Sequence, residues 1–286
     1  MHMRWRCVHS EPVATIGVSD LGVVPPIREA ATVMLVRDAP HLEVFMLRRN
    51  LGALWVGGAH VFPGGAVDAA DRDERLFSRC DSPDDLNASL LLGHGSGGLG
   101  YWVAAIRETF EEAGVLLARH ADGADIDPRD SAWDRLVDAR YALNAGECSF
   151  TEVIESEDLI LECSRLMLFS HWITPEGMPR RYDTWFFVAA APEGHSYLHD
   201  DGETVESAWK SPADAVAQAE SDEIDLILPT RRSLDALSLF PSTDRLFSHI
   251  EENAGAGNQR LQMVRDRAGG ERLVLPGDAL NGEREI

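Results

Sequence analysis

One amphipathic segment, residues 101–114, most constrains how this chain can fold. Its apolar residues Val103, Ile106 and Phe110 recur at steps of three and four, which places them on one face of an α-helix. The same segment carries the letters RETFEEAGV at residues 107–115, with three glutamates away from the apolar face. The sequence therefore predicts a helix with one side in a core and a concentration of negative charge beside it.

The three glutamates of this segment would lie close together on the helix. Glu111 and Glu112 follow Glu108 by three and four residues, so all three project from the same side. One interpretation is a solvated helix face, in which Arg107 pairs with Glu111 one turn later. The other is a site where carboxylates gather a cation. The neighbouring sequence favours the second interpretation.

The rest of the chain predicts a mixed arrangement of strands and helices. Two short, β-rich segments, Ala30–Arg37 and Leu42–Arg49, are joined by a turn cluster and predict a β-hairpin. Downstream, strands are expected at residues 165–174 and 181–191, and helices at residues 131–146, 211–220 and 229–240. Because strands and helices do not alternate regularly, we expect an α+β fold, or a three-layer α/β/α sandwich around a mixed sheet.

We expect a single domain over residues 1–286, with a core at about residues 30–240 and two elaborations. The first is an insertion at about residues 72–100, in which Ser82 is a candidate helix cap before Pro83 and residues 93–100 form a glycine-rich linker. We expect this insertion to be replaceable by a short linker without unfolding the protein. The second is a C-terminal hairpin extension at about residues 250–286.

The charge and the cysteines limit the classes of partner. The formal net charge of −22 argues against nucleic acid or an anionic membrane surface as a partner, because such binding needs a basic face. An anionic substrate would then need a local source of positive charge, such as a metal ion, to bind. Four widely spaced cysteines and the lack of an apolar run of about 20 residues predict a cytoplasmic protein with free, inert thiols.

The glutamate segment resembles the box of the Nudix hydrolases, G-x5-E-x7-R-E-U-x-E-E-x-G-U, where U is aliphatic. The second half matches at Arg107, Glu108, Glu111, Glu112, Gly114 and Val115, and departs from the motif at Thr109. In the first half, Gly65 stands at the motif glycine and Asp71 replaces the glutamate. The chain has 35 residues between Asp71 and Arg107 where the motif has seven, so the helical insertion splits the box.

This resemblance implies a Nudix-type fold and a site for Mg²⁺ or Mn²⁺. It implies metal ligands at Glu108, Glu111, Glu112 and the carbonyl of Gly65, with Glu108 either a ligand or the residue that positions water. It also implies that Arg107 orients the carboxylates and pairs with Asp71. The general base is left open, since family members recruit it from different places. Glu206 is a candidate for it, and the alternative for Glu206 is an exposed loop glutamate.

A second resemblance concerns the substrate. The chain is similar to the Nudix branch of the animal peroxisomal coenzyme A diphosphatases, which also carry an insertion within the box, in stretches such as GGAHVFPGG and HWITPEGMPRRYDTWFF. It implies cleavage of coenzyme A or acyl-coenzyme A at the diphosphate. A general nucleoside-diphosphate hydrolase acting on ADP-ribose, NADH or dinucleotides, and a non-catalytic ligand-sensing module, stay open as alternatives.

The basic residues at strand ends are candidates for substrate phosphates. Arg48 and Arg49 end the second predicted strand, and Arg180 and Arg181 precede a later one. A guanidinium group matches the geometry of a phosphate. We therefore expect a small-molecule nucleotide substrate at these four residues, and either a monomer or a homodimer.

Overall fold

The structure is a computed structural model that describes residues 25–52, 57–129, 131–174, 180–195, 197 and 204–253, and three short strands of the C-terminal tail. Within these ranges, no helix combines the length and the apolar character needed to cross a bilayer. Cys7 lies outside the described residues. Cys80, Cys148 and Cys163 are free thiols, as expected.

The strands are β1 (Ile27–Asp38), β2 (Leu42–Arg49), β3 (His60–Val61), β4 (Gly64–Ala66), β5 (Ala118–His120), β6 (Leu159–Leu161), β7 (Met167–Ile173), β8 (Arg181–Ala190), β9 (Thr204–Lys210), β10 (Gln262–Arg265), β11 (Glu271–Val274) and β12 (Arg284–Glu285). The helices are α1 (Glu74–Phe77), α2 (Asp85–Leu92), α3 (Leu99–Ala113), α4 (Ser131–Asn144), α5 (Phe150–Ser156), α6 (Pro212–Glu220), α7 (Leu228–Leu237) and α8 (Thr243–Asn253), with 3₁₀ turns at Ala69–Arg72 and Cys163–Arg165.

A seven-stranded mixed sheet organises these elements. Its main path runs β3-β2-β1-β8-β7, with β4 beside the first half of β1 and β9 beside β2. Strand β1 is antiparallel to β2, which confirms the predicted hairpin, and parallel to β8. Residue Ala31 of β1 is opposite both Gly65 of β4 and Trp185 of β8, so these three residues form one row across the sheet.

Helices cover both faces of the sheet, which confirms the α+β, three-layer expectation. On one face, β1 and β2 pack against α3, whose Val103, Ile106 and Phe110 are buried as predicted. We call this the α3 face. On the other face, alternate residues of the same strands pack with α6, α7 and α8. Since Leu246 of α8 is fully buried there, the core extends beyond residue 240.

The insertion contributes side chains to the core, which differs from the expected local elaboration, and its replacement by a short linker stays a prediction. Leu76 of α1 and Leu92 of α2 are buried in the same cluster as the apolar side of α3. The carboxylate of Asp81 accepts hydrogen bonds from the backbone N–H and the hydroxyl of Ser164 at 3.0 and 2.6 Å. These contacts join segments about 80 residues apart. No pattern within the insertion itself indicates them.

The expected flexible linker at residues 93–100 is held in place by α2. Asp85 accepts hydrogen bonds from the backbone N–H groups of Gly97 and Leu99, both at 3.0 Å, and the hydroxyl of Ser89 accepts one from Gly98 at 2.9 Å. These are N–H groups at the start of α3, which lack partners within the helix. The insertion therefore caps the N-terminus of the glutamate-bearing helix.

The other end of α3 is capped from α4. Gly114 adopts a left-handed conformation with φ of 66°, which ends the helix after Ala113. Arg140 donates hydrogen bonds to the carbonyl oxygens of Glu111 and Glu112, both at 3.0 Å. Both termini of α3 are thus fixed by groups distant in sequence.

Two helix starts differ from the sequence expectations. Helix α2 is capped by Asp84, because its side chain accepts from the N–H of Asn87, and Ser82 and Pro83 precede the helix. Helix α7 begins at Leu228, one residue before the expected start at residue 229, and ends at Leu237. The predicted tail hairpin is confirmed by the antiparallel pair β10 and β11, and β12 adds a third strand.

Candidate active site

Arg107 of α3 connects the two halves of the split box. Its Nε and Nη2 donate to the carboxylate of Asp71 at 2.8 and 2.9 Å, which confirms the pairing implied by the resemblance. Nη1 donates to Glu108 at 2.9 Å and to Glu111 at 3.0 Å, and Nη2 also donates to the carbonyl of Ala66 at 2.9 Å. A single guanidinium group therefore fixes two helix carboxylates and the loop after β4.

Because the Asp71–Arg107 ion pair is buried, the charge of each residue depends on the presence of the other. Asp71 is 1% exposed and Arg107 is 8% exposed. Burial alone opposes the charged form of Arg107, but its hydrogen bonds to Asp71 and the nearby charge of Glu108 outweigh that cost and raise its pKa. Removing either partner of the Asp71–Arg107 pair would leave a buried charge without compensation.

The glutamates of α3 are largely removed from solvent. Burial, partly offset by Arg107, raises the pKa of Glu108 to about 7. Burial likewise raises the pKa of Glu111. Glu112 is buried, and its carboxylate accepts a hydrogen bond from the N–H of Gly64 at 2.9 Å. The alternative of a solvated acidic helix face was therefore wrong, although the Arg107–Glu111 pair that it included is present.

Gly65 is the residue through which β4 approaches α3. A side-chain Cβ at Gly65 would lie 2.5 Å from an oxygen of Glu108, well inside van der Waals contact. A larger residue at Gly65 would displace the Glu108 carboxylate from its observed position. The backbone of β4 and the carboxylates of α3 therefore line one confined space.

The donors around this space are oxygens, which suit Mg²⁺ and Mn²⁺. Among the described residues, no three His, Cys, Asp or Glu side chains are already gathered around a cation position. Glu108 and Glu111 are instead turned toward Arg107. Glu108, Glu111, Glu112 and the carbonyl of Gly65 offer oxygen donors of the kind that a hard divalent ion takes.

The structure does not bring Glu206 to this site. Glu206 of β9 lies opposite Arg48 of β2 and accepts a hydrogen bond from it at 3.3 Å. Lys210, on the same side of β9, bonds to Gln218 of α6 at 2.8 Å. Glu206 and Arg48 therefore project from the face opposite α3, and neither contacts the glutamate cluster.

The other candidate arginines lie around the α3 face without touching the cluster. Arg49 follows Arg48 in β2, and alternation along the strand directs it toward the α3 face. Arg181 begins β8, and its Nε donates to the carbonyl of Thr174 at 3.1 Å. Arg181 precedes Trp185 by four residues, or about 13 Å along the strand. Arg180 is exposed immediately before it.

Two functional positions escaped the sequence interpretation. Asp85 caps the start of α3 and Arg140 caps its end, so both determine where the glutamates stand. The only sequence signal was their residue type, since acidic residues favour helix N-termini and basic residues favour C-termini. Neither residue is near the other in sequence.

Comparison with known proteins gives one consistent result. Residues 95–235 match the family model described as NUDT19 Nudix domain. The chain is 30% identical to "Acyl-coenzyme A diphosphatase NUDT19" of Gallus gallus, covering 90% of this chain and 80% of that protein. It is 29% identical to the Homo sapiens protein of the same name, over 90% and 74% of the two chains.

A solved structure has the same overall fold. The crystal structure of a NUDIX hydrolase from Alicyclobacillus acidocaldarius superimposes with a TM-score of 0.66 and 25% sequence identity. The alignment covers 78% of this chain and 96% of the other. Most of that protein therefore has its counterpart within this chain.

Proposed function

Because the chain belongs to the Nudix hydrolase family, we propose that it hydrolyses the diphosphate linkage of coenzyme A or an acyl-coenzyme A with Mg²⁺ or Mn²⁺. The observation that carries this proposal is the arrangement of Arg107 among Asp71, Glu108 and Glu111 beside the confined space at Gly65. The names of the relatives from chicken and human support coenzyme A compounds as the substrate class.

Divalent ions would be held by Glu108, Glu111, Glu112 and the Gly65 carbonyl. When bound, they supply positive charge that neutralises the diphosphate oxygens and favours ionisation of water. The positive charge of the ions matters in this protein because the chain carries a net charge of −22 and would otherwise repel an anionic substrate.

The protein groups orient the carboxylates. Arg107 holds Glu108 and Glu111 at fixed positions on α3, and the buried Asp71 fixes Arg107 in turn. The N–H of Gly64 orients Glu112. In the alternative in which Glu108 positions the water and the ion is held by Glu111, Glu112 and the Gly65 carbonyl, Glu108 is the carboxylate that accepts the proton from the attacking water. This assignment replaces Glu206 in that role.

The arginines of the α3 face serve the remaining phosphate in this proposal. Arg180 and Arg181 are the candidates for the 3′-phosphate of coenzyme A, because they lie at the same end of the sheet as β4. Arg49 is a candidate for the diphosphate from the side of β2. Arg48 pairs with Glu206 on the other face, which removes it from the set of phosphate ligands.

A substrate panel tests the proposal directly. The protein is incubated with Mg²⁺ or Mn²⁺ and coenzyme A, an acyl-coenzyme A, ADP-ribose or NADH, and the products are identified by mass. We expect phosphopantetheine, or its acyl form, and adenosine 3′,5′-bisphosphate. Preferred cleavage of ADP-ribose or NADH would assign a general nucleoside-diphosphate hydrolase instead, and thioester cleavage would overturn the mechanism.

A further inference from the structure

His171 and Asp183 form a hydrogen-bonded pair at the edge of the sheet, on the α3 face. Nε2 of His171 contacts Oδ1 of Asp183, and the imidazole ring stacks on the indole of Trp185 with centroids 4.0 Å apart and planes 7° apart. The side chains of His171 and Asp183 are 13% and 23% exposed. The ring is therefore fixed by two contacts and still reachable from solvent.

The strand register relates this pair to the proposed metal site. His171 lies opposite Trp185, Trp185 opposite Ala31, and Ala31 opposite Gly65. Three strand spacings separate the ends of this row, which places the Cα atoms of His171 and Gly65 about 14 Å apart. Ala31 and Trp185 within the row are buried, so a nucleoside attached to a diphosphate at Gly65 would have to cover this separation along the partly exposed end of the sheet, where Glu29 lies opposite Asp183.

Polar side chains line the end of the sheet between the two sites. Arg72, the first residue of the insertion, donates to Glu29 of β1 at 2.6 Å, and its guanidinium lies 5.8 Å from the ring centre of Tyr101. Burial and the charges of Glu29 and Asp183 raise the pKa of the Tyr101 hydroxyl. Because Glu29 lies opposite Asp183, the His171–Asp183 pair borders this group of side chains, and Arg72 directly follows Asp71 in the chain.

The charges around His171 and Asp183 indicate which kind of chemical group can bind beside them. With Nε2 engaged by Asp183, Nδ1 is the remaining polar atom of the imidazole, and it makes no hydrogen bond within the described part of the chain. The carboxylates of Asp183 and Glu29 make the surroundings negative, which disfavours a phosphate. A neutral hydroxyl group suits them. Arg181, two residues before Asp183 on the same strand side, offers a cation for a phosphate attached to the same sugar.

We propose that His171, oriented by Asp183 and Trp185, binds the ribose 2′-hydroxyl of the nucleotide half of the substrate. This inference rests on the proposed function, since it takes the diphosphate to lie at the glutamate cluster. His171 would then determine substrate affinity and act on the position of the diphosphate only through the bound nucleotide.

Two variants test this role. His171→Phe preserves the stack on Trp185 and removes the polar atoms, and Asp183→Asn preserves shape and removes the charge. His120→Phe, at a half-buried histidine of β5, is the matched control. We expect both test variants to raise KM for coenzyme A about 10-fold, the loss of roughly one good hydrogen bond, with kcat changed less than about threefold.

A binding measurement separates this inference from the activity. Calorimetry with adenosine 3′,5′-bisphosphate and its 2′-deoxy analogue should show a preference of about fivefold or more for the ribose form in the wild type, lost in both variants and kept in the control. Equal wild-type affinity for the two nucleotides, no binding of either, or an unchanged preference in both folded variants would overturn it. A wild type that shows the preference but leaves coenzyme A intact would contradict the proposed function alone.

If His171→Phe does not fold, Asp183→Asn decides the question alone. A drop in kcat with unchanged KM and unchanged nucleotide preference would assign the pair a structural role and refute ribose binding. Thermal unfolding of every variant is measured first, so that only folded proteins enter the comparison.

Discussion

At the scale of single residues, Arg107 determines how the acidic site is arranged. It has four hydrogen-bonding partners, of which three are carboxylates and one is the backbone carbonyl of Ala66 at the end of β4. Both Glu108 and Glu111 accept hydrogen bonds from Nη1 of Arg107, and without that cation their two carboxylates would repel each other. The guanidinium group therefore holds together a cluster of carboxylates that would otherwise be electrostatically unfavourable.

The carboxylates of Glu111 and Glu112 are expected to be essential for turnover. Replacing either by Gln preserves the shape but removes negative charge that a divalent ion requires, so kcat should fall by about 10²-fold or more. The control is Glu251→Gln on the exposed side of α8, which should retain full activity. Near-normal, metal-dependent turnover in both test variants would refute the assignment of the site.

Metal affinity should also depend on pH through Glu108. Its pKa of about 7 in the metal-free protein means that the carboxylate is mostly protonated at pH 6 and mostly ionised at pH 8. Because only the ionised form attracts a cation, Mn²⁺ should bind roughly tenfold more tightly at pH 8 than at pH 6. The fraction of free Mn²⁺ can be measured by electron paramagnetic resonance.

The variant Glu108→Gln provides the comparison for that measurement. It cannot ionise at this position, so the difference between pH 6 and pH 8 should become much smaller. If the wild type binds Mn²⁺ equally well at both pH values, Glu108 does not control metal affinity.

At the scale of elements, sequence periodicity correctly predicted the structures that depend only on residues close together in the chain. The hairpin of β1 and β2 and the buried stripe of α3 follow from apolar spacing within each segment. The pairing of Asp71 with Arg107 could be expected because the motif joins those two positions. Contacts that depend on register or on distant chain segments could not be derived in this way.

Glu206 shows why register limits such an inference. Adjacent residues of a strand point to opposite faces, so a candidate can be assigned to a face only when its pairing is known. The pairing of Glu206 with Arg48 directs it away from α3. The insertion shows the second limit, since its attachment through Asp81 and Ser164 joins two loops that have no common pattern.

The core role of the insertion leads to a stability prediction. Leu76 is 1% exposed, whereas Leu90 of the same insertion is 68% exposed. Leu76→Ala should lower the free energy of unfolding by about 2–5 kcal/mol, because it leaves a cavity in the cluster that supports α3. Leu90→Ala is the matched control and should change it by less than about 0.5 kcal/mol.

Urea denaturation of the two variants measures this difference. Equal, small effects would mean that the insertion packs loosely and would support the expectation that a linker can replace it. The same cavity should also lower metal-dependent turnover if α3 shifts, which the Leu90 control should not.

At the scale of the whole molecule, the excess of acidic residues affects stability as well as substrate binding. Aspartate and glutamate total 48 against 26 lysines and arginines, so the folded chain repels itself at neutral pH. Moderate acidification relieves part of that repulsion. A partly buried group that resists protonation acts in the opposite direction, and His195 is such a group.

His195 should make the protein sensitive to acid. Its ring lies 4.5 Å from that of Trp133, and its Nδ1 has no hydrogen-bond partner among the residues that the structure describes. Burial, followed by the charge of Arg165, lowers its pKa from 6.5 to about 4. The unfolded chain therefore binds a proton in the pH range where the folded chain does not.

The sign of the effect follows from that difference. For a histidine with a depressed pKa in the folded state, the stabilising contribution is complete above pH 6.5 and is lost as the pH falls toward 4. His195→Phe retains an aromatic ring beside Trp133 and removes the titration. Its melting temperature should therefore fall less between pH 7 and pH 5 than that of the wild type. His41→Phe, at an exposed histidine, should follow the wild type, because the relief of acidic repulsion is common to all three proteins. Parallel melting curves for wild type and His195→Phe would show that acid acts through other groups.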